Sequence, residues 1–538
     1  MNLLPASRFR TGLFAAAACL LVLTGCDDAF QTAANDASIA ESQLAAGNLE
    51  EARESIRRAI AARDDVAGYY VLLGRIELQA ERPASAFNAY SMALDLQADN
   101  PEVLQNIAEL GLQTGRLKEA EEAADRILLL SPGSARAMLV KGFIAIDNGR
   151  LDDAQRMATA ILGSNADDEG GIILAARIDA LRGDVGKALS AIQSGISTLG
   201  STNALNVTLL EIYRIQGDAR GMRSVFFAVL KSMDGDTDYQ LDFVNLLYKM
   251  GDIAAARGAA LKAIEAKPND ARLLTMLGEL WLEYDRKPLS PAQLTYFAES
   301  GSRTSQIALA RFYHKIGDYE AAQRLLTRAF DSGVAEAQGL MARVMMARGD
   351  LKRADALAAR LLQADPRNED ALLVRSARHL TNRKPDRAIE DANIVVADSP
   401  EEYLGYVVLA DAYIAKGSPL RARQTFERGM DFLPQSKLLA DAYQKFLVAN
   451  GDTSRVVSLY QDLAMAKPSS VAAWTAFSRA CAEFGDEICA RKVESGMARA
   501  KSSFVIDEPP GTPQRRGLFA RITPEQICAT TGGVCTGS

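Results

Sequence analysis

The chain has 538 residues, with 61 lysines and arginines against 68 aspartates and glutamates, for a formal net charge of −7. That acidic balance argues against a nucleic-acid partner, which needs a basic surface to neutralise phosphates. Only 2 histidines occur. No glycine-rich phosphate loop, HExxH zinc motif or GxSxG elbow is present, so no catalytic residue, resident metal or cofactor is expected.

The chain opens with Arg8 and Arg10 and no acid, and Thr11 to Gly25 is almost wholly small or apolar. That run of about 15 residues is short of the roughly 20 that cross a bilayer as a helix. A basic start, a short apolar core and small residues at its end make a secretory signal over 1–25. Its last residues and the next one, Leu23-Thr24-Gly25-Cys26, resemble the lipobox of bacterial lipoproteins. The resemblance implies cleavage before Cys26, a lipid on its thiol and an acylated amine. One acyl chain holds marginally and two or three anchor stably, so no spanning helix is required. Asp27 directly after the cysteine resembles the inner-membrane lipoproteins of enteric bacteria. The expected place is therefore outside the cytoplasm, on the periplasmic face of the inner membrane, with the outer membrane as the alternative. Residues 26–32 would form the tether.

The body is periodic. Gly115, Gly149, Gly183, Gly217 and Gly251 are spaced by 34 residues, Gly47 lies two periods earlier, and Gly349, Gly417, Gly451 and Gly485 continue the series. Alanine stands five residues after most of these, as in Ala52, Ala120, Ala154, Ala188, Ala256, Ala354, Ala422 and Ala490; Ala86 and Ala388 follow Glu81 and Arg383, which replace the glycine. Proline recurs at Pro132, Pro268, Pro366, Pro400, Pro434 and Pro468. Glycine suits a left-handed helix end, alanine a close helix–helix contact, and proline a stop after the second helix. The pattern resembles the tetratricopeptide repeat, a 34-residue helix–turn–helix unit. The fold expected is all-α, a superhelical solenoid of about fourteen repeats, because one hairpin cannot bury its apolar faces alone.

Residues 285–301 break the register, with Asp285 in the glycine slot and no alanine on schedule. They are expected to form an irregular connector between a first array, 33–284, and a second, 302–500. The second array resembles Sel1-like repeats in its short "SGS" and "SGV" links; two ordinary repeats with shorter links are the other reading. After residue 500 the periodicity stops, and 501–538 reads as a Pro/Gly-rich linker with a cysteine-containing tail.

Of the 6 cysteines, Cys19 leaves with the signal and Cys26 takes lipid. Cys481, Cys489, Cys528 and Cys535 remain, an even set in an oxidising compartment. Of three pairings, the local one is expected: Cys481 with Cys489 around Gly485, and Cys528 with Cys535 around Gly532-Gly533. Neither pair has the spacing of a structural zinc site.

In the family this pattern resembles, ligands lie on the concave face made by the first helix of each repeat. Position 9 of each unit reads Glu41, Arg75, Glu109, Phe143, Arg177 and so on; position 12 is mainly apolar, with Leu112, Ile146, Ile414 and Val448 among them. Opposite charges in adjacent units, such as Glu41 and Arg75, are expected to pair. Arg311 with Arg343, and Lys445 with Arg479, are like charges in neighbouring units and would want an anion between them. With His314, which faces the same groove, they are the expected partner contacts; His379 is expected to pack in the core. The resemblance implies a membrane-anchored envelope scaffold for proteins or peptides, serving assembly or export of surface polymers or proteins. The architecture also resembles the repeat lipoproteins of exopolysaccharide and PEP-CTERM exosortase systems. The alternative is therefore a polysaccharide-binding export component, taking an anionic polymer in the groove. Such a groove would want aromatic platforms, and the chain has only Trp281 and Trp474.

Overall fold

The computed structural model describes residues 30–233, 235–485, 487–507 and 515–521. Among the described residues the secondary structure is helical throughout: 28 α-helices and one 3-10 turn, with no strand. The first helix is described from residue 30 to 45, so the end of the expected 26–32 tether is already helical. Cys26, Cys528 and Cys535 lie outside the described residues, as do all of the expected signal, 1–25, and most of the tail.

The helices pair into fourteen hairpins, and the hairpins follow the glycine count. Gly115 ends helix Pro101–Thr114 with φ 80 and ψ 12, and the following amide, of Arg116, donates to the Gly111 carbonyl at 2.8 Å. This is the left-handed helix end that leaves no Cβ in conflict with the carbonyl. Glu81 and Arg383 take the same conformation, φ 56 and φ 55, in two of the repeats that lack the glycine. The turn geometry is therefore imposed by the repeat, and glycine is only its least strained occupant.

The alanines five residues on sit where the two helices of a hairpin touch. Ala52, Ala86, Ala120, Ala154, Ala188, Ala256, Ala354, Ala388 and Ala422 are fully buried. The second helices stop two residues before the prolines, as in Leu117–Leu130 before Pro132 and Ile253–Ala266 before Pro268. Asp218, Asp252 and Asp318 cap the second helices through their side chains, while Asn48, Asp184 and Asp452 make no side-chain cap bond.

Two stretches differ from the periodic expectation. Residues 285–301 contain a second helix, Pro291–Ser300, entered through a capping box between Ser290 and Gln293. The preceding Asp285 is buried against Arg257, at 2.6 and 2.9 Å, where a turn glycine would otherwise stand. The repeat is thus kept, with a longer link and a ten-residue second helix. In the last repeat Gly485 is extended, φ −102 and ψ −167, and Ala490 is exposed. The buried face of helix Glu487–Ser502 is Cys489, Val493, Gly496 and Ala500, one residue earlier than elsewhere. Gly496 lies against Trp474 so closely that an added Cβ would fall 2.0 Å from its ring.

The chain falls into two compact units. The first runs to Ile212 and takes in the described residues 515–521; the second runs from Tyr213 to residue 507. The expected connector at 285–301 lies inside the second. In each, first helices stack on first helices, as Pro101–Thr114 on Ala135–Asp147 and that on Glu169–Leu181 in the first unit.

Candidate functional site

The first helices form the inner face, and position 9 of each repeat points along it. The pairing there differs from the expected one. Arg75 grips Glu102 with two bonds, 2.8 and 2.6 Å, and Glu109 accepts from Arg136 at 2.9 Å. Each contact joins position 9 to the first turn of the next repeat's first helix. Helical side chains lean toward the N-terminus of their own helix, which carries them up to that turn. Both pairs are exposed, worth under about 1 kcal/mol each.

The inner face of the first unit is occupied by the chain itself. Arg177, on Glu169–Leu181, is 3% exposed. Its guanidinium lies 5.8 Å from the Phe143 ring centre and donates to the Leu518 carbonyl at 3.3 Å and to the Ala520 carbonyl. Arg516 donates to Asp147 at 3.0 Å. The same guanidinium packs on Gly115, where an added Cβ would lie 2.8 Å from Arg516 Nη1. Arg516 therefore sits at the C-terminal ends of two helices, Pro101–Thr114 and Ala135–Asp147, where the backbone carbonyls favour a cation. Burial pushes the Asp147 carboxyl up, and Arg516 and then Arg177 pull it back. Between these anchors Gly517–Phe519 makes one 3-10 turn, with Gly517 at φ 79 over Leu112.

In the second unit, residues 503–507 lie against helix Thr237–Lys249. Lys249 donates to the carbonyls of Ser469, Ala500 and Ser503, and Asn245 to that of Phe504. Asp507 accepts the Ser469 amide at 3.0 and 3.1 Å. Burial lifts its carboxyl to about 6, against the pull of Ser469, Lys467 and Lys249.

The cations singled out by sequence fall into two groups. Arg311 and Arg343 have their anion from within. Asp370 bonds Arg343 at 2.7 Å and stands 3.7 Å from Arg311; Glu402 reaches Arg343 at 3.2 Å and Glu336 reaches Arg311 at 3.1 Å. The like-charge repulsion that asked for an external anion is thereby removed, and Arg343 is buried, at 4% exposed. Gly339 permits this closeness, since a Cβ there would lie 2.8 Å from that of Asp370. His314 stands beside the cluster, held down to about 4 by burial and then by Arg343, and is neutral near pH 7. Lys445 and Arg479 are exposed and make no ion pair among the described residues. His379 is partly buried, 3.7 Å from Asp391. Cys481 and Cys489 are joined in a disulfide with Cα atoms 5.7 Å apart, within the usual span.

Sequence profiles of tetratricopeptide repeats match residues 38–101, 77–141, 241–291, 307–332 and 374–436. The chain is a tetratricopeptide-repeat solenoid. It is 25% identical over 442 residues to cellulose synthase operon protein C of Xanthomonas axonopodis pv. citri, covering 79% of this chain and 26% of that protein. It is 30% identical over 110 residues to the cytochrome c-type biogenesis protein CycH of Pseudomonas aeruginosa, covering 20% of this chain and 27% of that one. The chain thus spans about a quarter of the length of these two curated relatives. Among solved structures, a tetratricopeptide repeat protein from Parabacteroides merdae aligns with TM-score 0.40 and 18% identity, over 47% of this chain and 99% of that one.

Proposed function

We propose that this repeat protein is an envelope scaffold, lipid-anchored through Cys26, that holds proteins or peptides on its inner faces and has no reaction of its own. The lipobox at Leu23–Cys26 supports the anchor and the extracytoplasmic placement, on the inner-membrane side by Asp27. The observation that carries the binding role is the hold of Arg177 on the carbonyls of Leu518 and Ala520. An inner face that grips main-chain carbonyls of a short turn segment suits peptide ligands. The process served is assembly or export of surface polymers or proteins.

The likeness to cellulose synthase operon protein C favours export of a polysaccharide as that process. Direct capture of the polymer in the groove is the second reading. Against it, Trp281 and Trp474 are buried, at 1% and 3% exposed, and offer no stacking platform.

Two experiments test this. Fatty-acid labelling of the parent and of Cys26→Ser should label the parent alone; equal label sinks the anchor. A photo-crosslinker at Ile414 or Val448, both 45% exposed on first helices, should trap a defined protein in native membranes. The same probe at Leu420, on a second helix, should not. Equal yields from both faces sink the groove reading, and retention of an anionic polysaccharide without any trapped protein replaces it with the second.

A further inference from the structure

The segment Arg515–Arg521 is held as a ligand is held. Its main chain is gripped at two carbonyls two residues apart by one buried arginine. Its Arg516 enters a pocket made by Asp147, Gly115 and the ends of two helices. Its Gly517 lies on Leu112, an apolar residue of the inner face. The contacts join residues more than 340 positions apart, so neither repeat geometry nor local turn chemistry requires them. The array of the first unit is complete as a stack of hairpins without the segment.

The chemistry of the pocket limits what it can accept. A carboxylate at the end of two helices selects a cation. Arg177, with its guanidinium over the Phe143 ring, donates from one nitrogen to two main-chain carbonyls two residues apart, so it fits the backbone of a short turn. Between the cation and those carbonyls, the left-handed φ of 79 at Gly517 favours glycine. An anionic polymer or a phosphate group meets Asp147 with the wrong sign. The matching ligand is a peptide reading arginine, glycine, then apolar residues, folded into one turn.

We infer that the inner face of the first unit is a binding site for an Arg-Gly-apolar peptide that closes into one 3-10 turn, and that residues 515–521 fill it as a tethered ligand that such a peptide must displace. This rests on the reading of the inner faces as partner sites. A ligand tethered on the same chain acts at an effective concentration on the order of 1 mM. An incoming peptide is therefore weakened by about 1 mM divided by the tail's own dissociation constant, at least tenfold for a constant below about 100 μM.

The test uses the full chain and a fluorescent synthetic peptide of residues 514–522. Arg516→Glu with Gly517→Val releases the tail through residues outside the repeats, since valine is strained at φ 79 and meets Leu112. By polarisation, the released protein should bind the peptide at least tenfold tighter than the parent. Adding Asp147→Asn should remove at least tenfold of that affinity, and so should a peptide carrying glutamate at the Arg516 position. Trypsin gives a second readout: cleavage after Arg516 should be slow in the parent and accelerate with excess unlabelled peptide. Equal affinity of parent and released protein, or indifference to Asp147→Asn, overturns the inference. The Ile414 crosslink, scored in the same proteins, separates the two ideas. If peptide binding fails while the crosslink persists, the tethered ligand falls and the scaffold stands; if both fail, both fall.

Discussion

Asp370 serves two arginines, and only one of them is buried with it. Removing Arg343 leaves Glu402 without its cation and Asp370 with only the more distant Arg311 in a dry setting, which costs about 3–5 kcal/mol. Removing Arg311, whose side chain is 33% exposed, costs under about 1 kcal/mol. Arg343→Ala should therefore lower the thermal midpoint by several degrees and Arg311→Ala hardly at all, followed by circular dichroism. Equal shifts would mean that burial does not set the strength of this cluster. Asp507 gives a signed pH effect. Its folded pKa, about 6, lies above the unfolded value near 3.8. The folded chain then keeps a proton that the unfolded chain has released, so the contribution is full below the unfolded value and is lost as pH rises through about 6. Asp507→Asn has no such loss. Its midpoint minus that of the parent should grow between about pH 4 and 6 and stay level above, and a constant difference would place Asp507 in water.

At the scale of the helix, small residues set the spacing. Ala154 and Ala160 share helix Leu151–Ser164, one fully buried and one exposed. Ala154→Leu should destabilise by about 1–3 kcal/mol through overpacking, and Ala160→Leu by little. Indistinguishable melting curves for the two would refute the register. Arg383 offers the opposite sign. A non-glycine residue held left-handed carries about 1–2 kcal/mol of strain, and glycine gives back about 0.5–1 kcal/mol as lost chain entropy. Arg383→Gly should stabilise by roughly the difference, up to about 1 kcal/mol, read in urea denaturation. In the last hairpin the disulfide closes a short loop worth about 2–3 kcal/mol in the chain-entropy model. Reduction should speed hydrogen exchange in Glu487–Ser502 while helices of the first unit keep their protection.

For the molecule as a whole, what repeats was legible and what happens once was not. Gly115 or Ala154 could be placed because the same backbone demand recurs every 34 residues. The helix Pro291–Ser300 escaped because Asp285, paired with Arg257, takes over from the glycine that would have marked the turn. Ala490 was misplaced because Gly485 does not adopt the left-handed conformation, and Cys489 becomes the buried residue. Arg177 stood in the correct column of position 9, yet its acceptors are main-chain carbonyls, which leave no trace in a sequence. Asp370 lies in the first turn of its helix, away from the positions scanned for charge, so its bridge between Arg311 and Arg343 was invisible too.

The hold of Arg177 and Asp147 on Arg515–Arg521 also gives the first unit a history. Translation makes Arg177 more than 340 residues before the carbonyls it holds. At about 5–20 residues per second, roughly twenty seconds to a minute separate synthesis of the pocket residues from that of their occupant. A partner peptide that arrives in that interval meets no competitor, and the same peptide arriving afterwards must evict one. Order of manufacture then decides occupancy, so partner made together with this chain should be captured more fully than the same amount added to finished protein. Ribosomes stalled before residue 515 would prolong the interval, and the captured fraction should rise with the length of the stall.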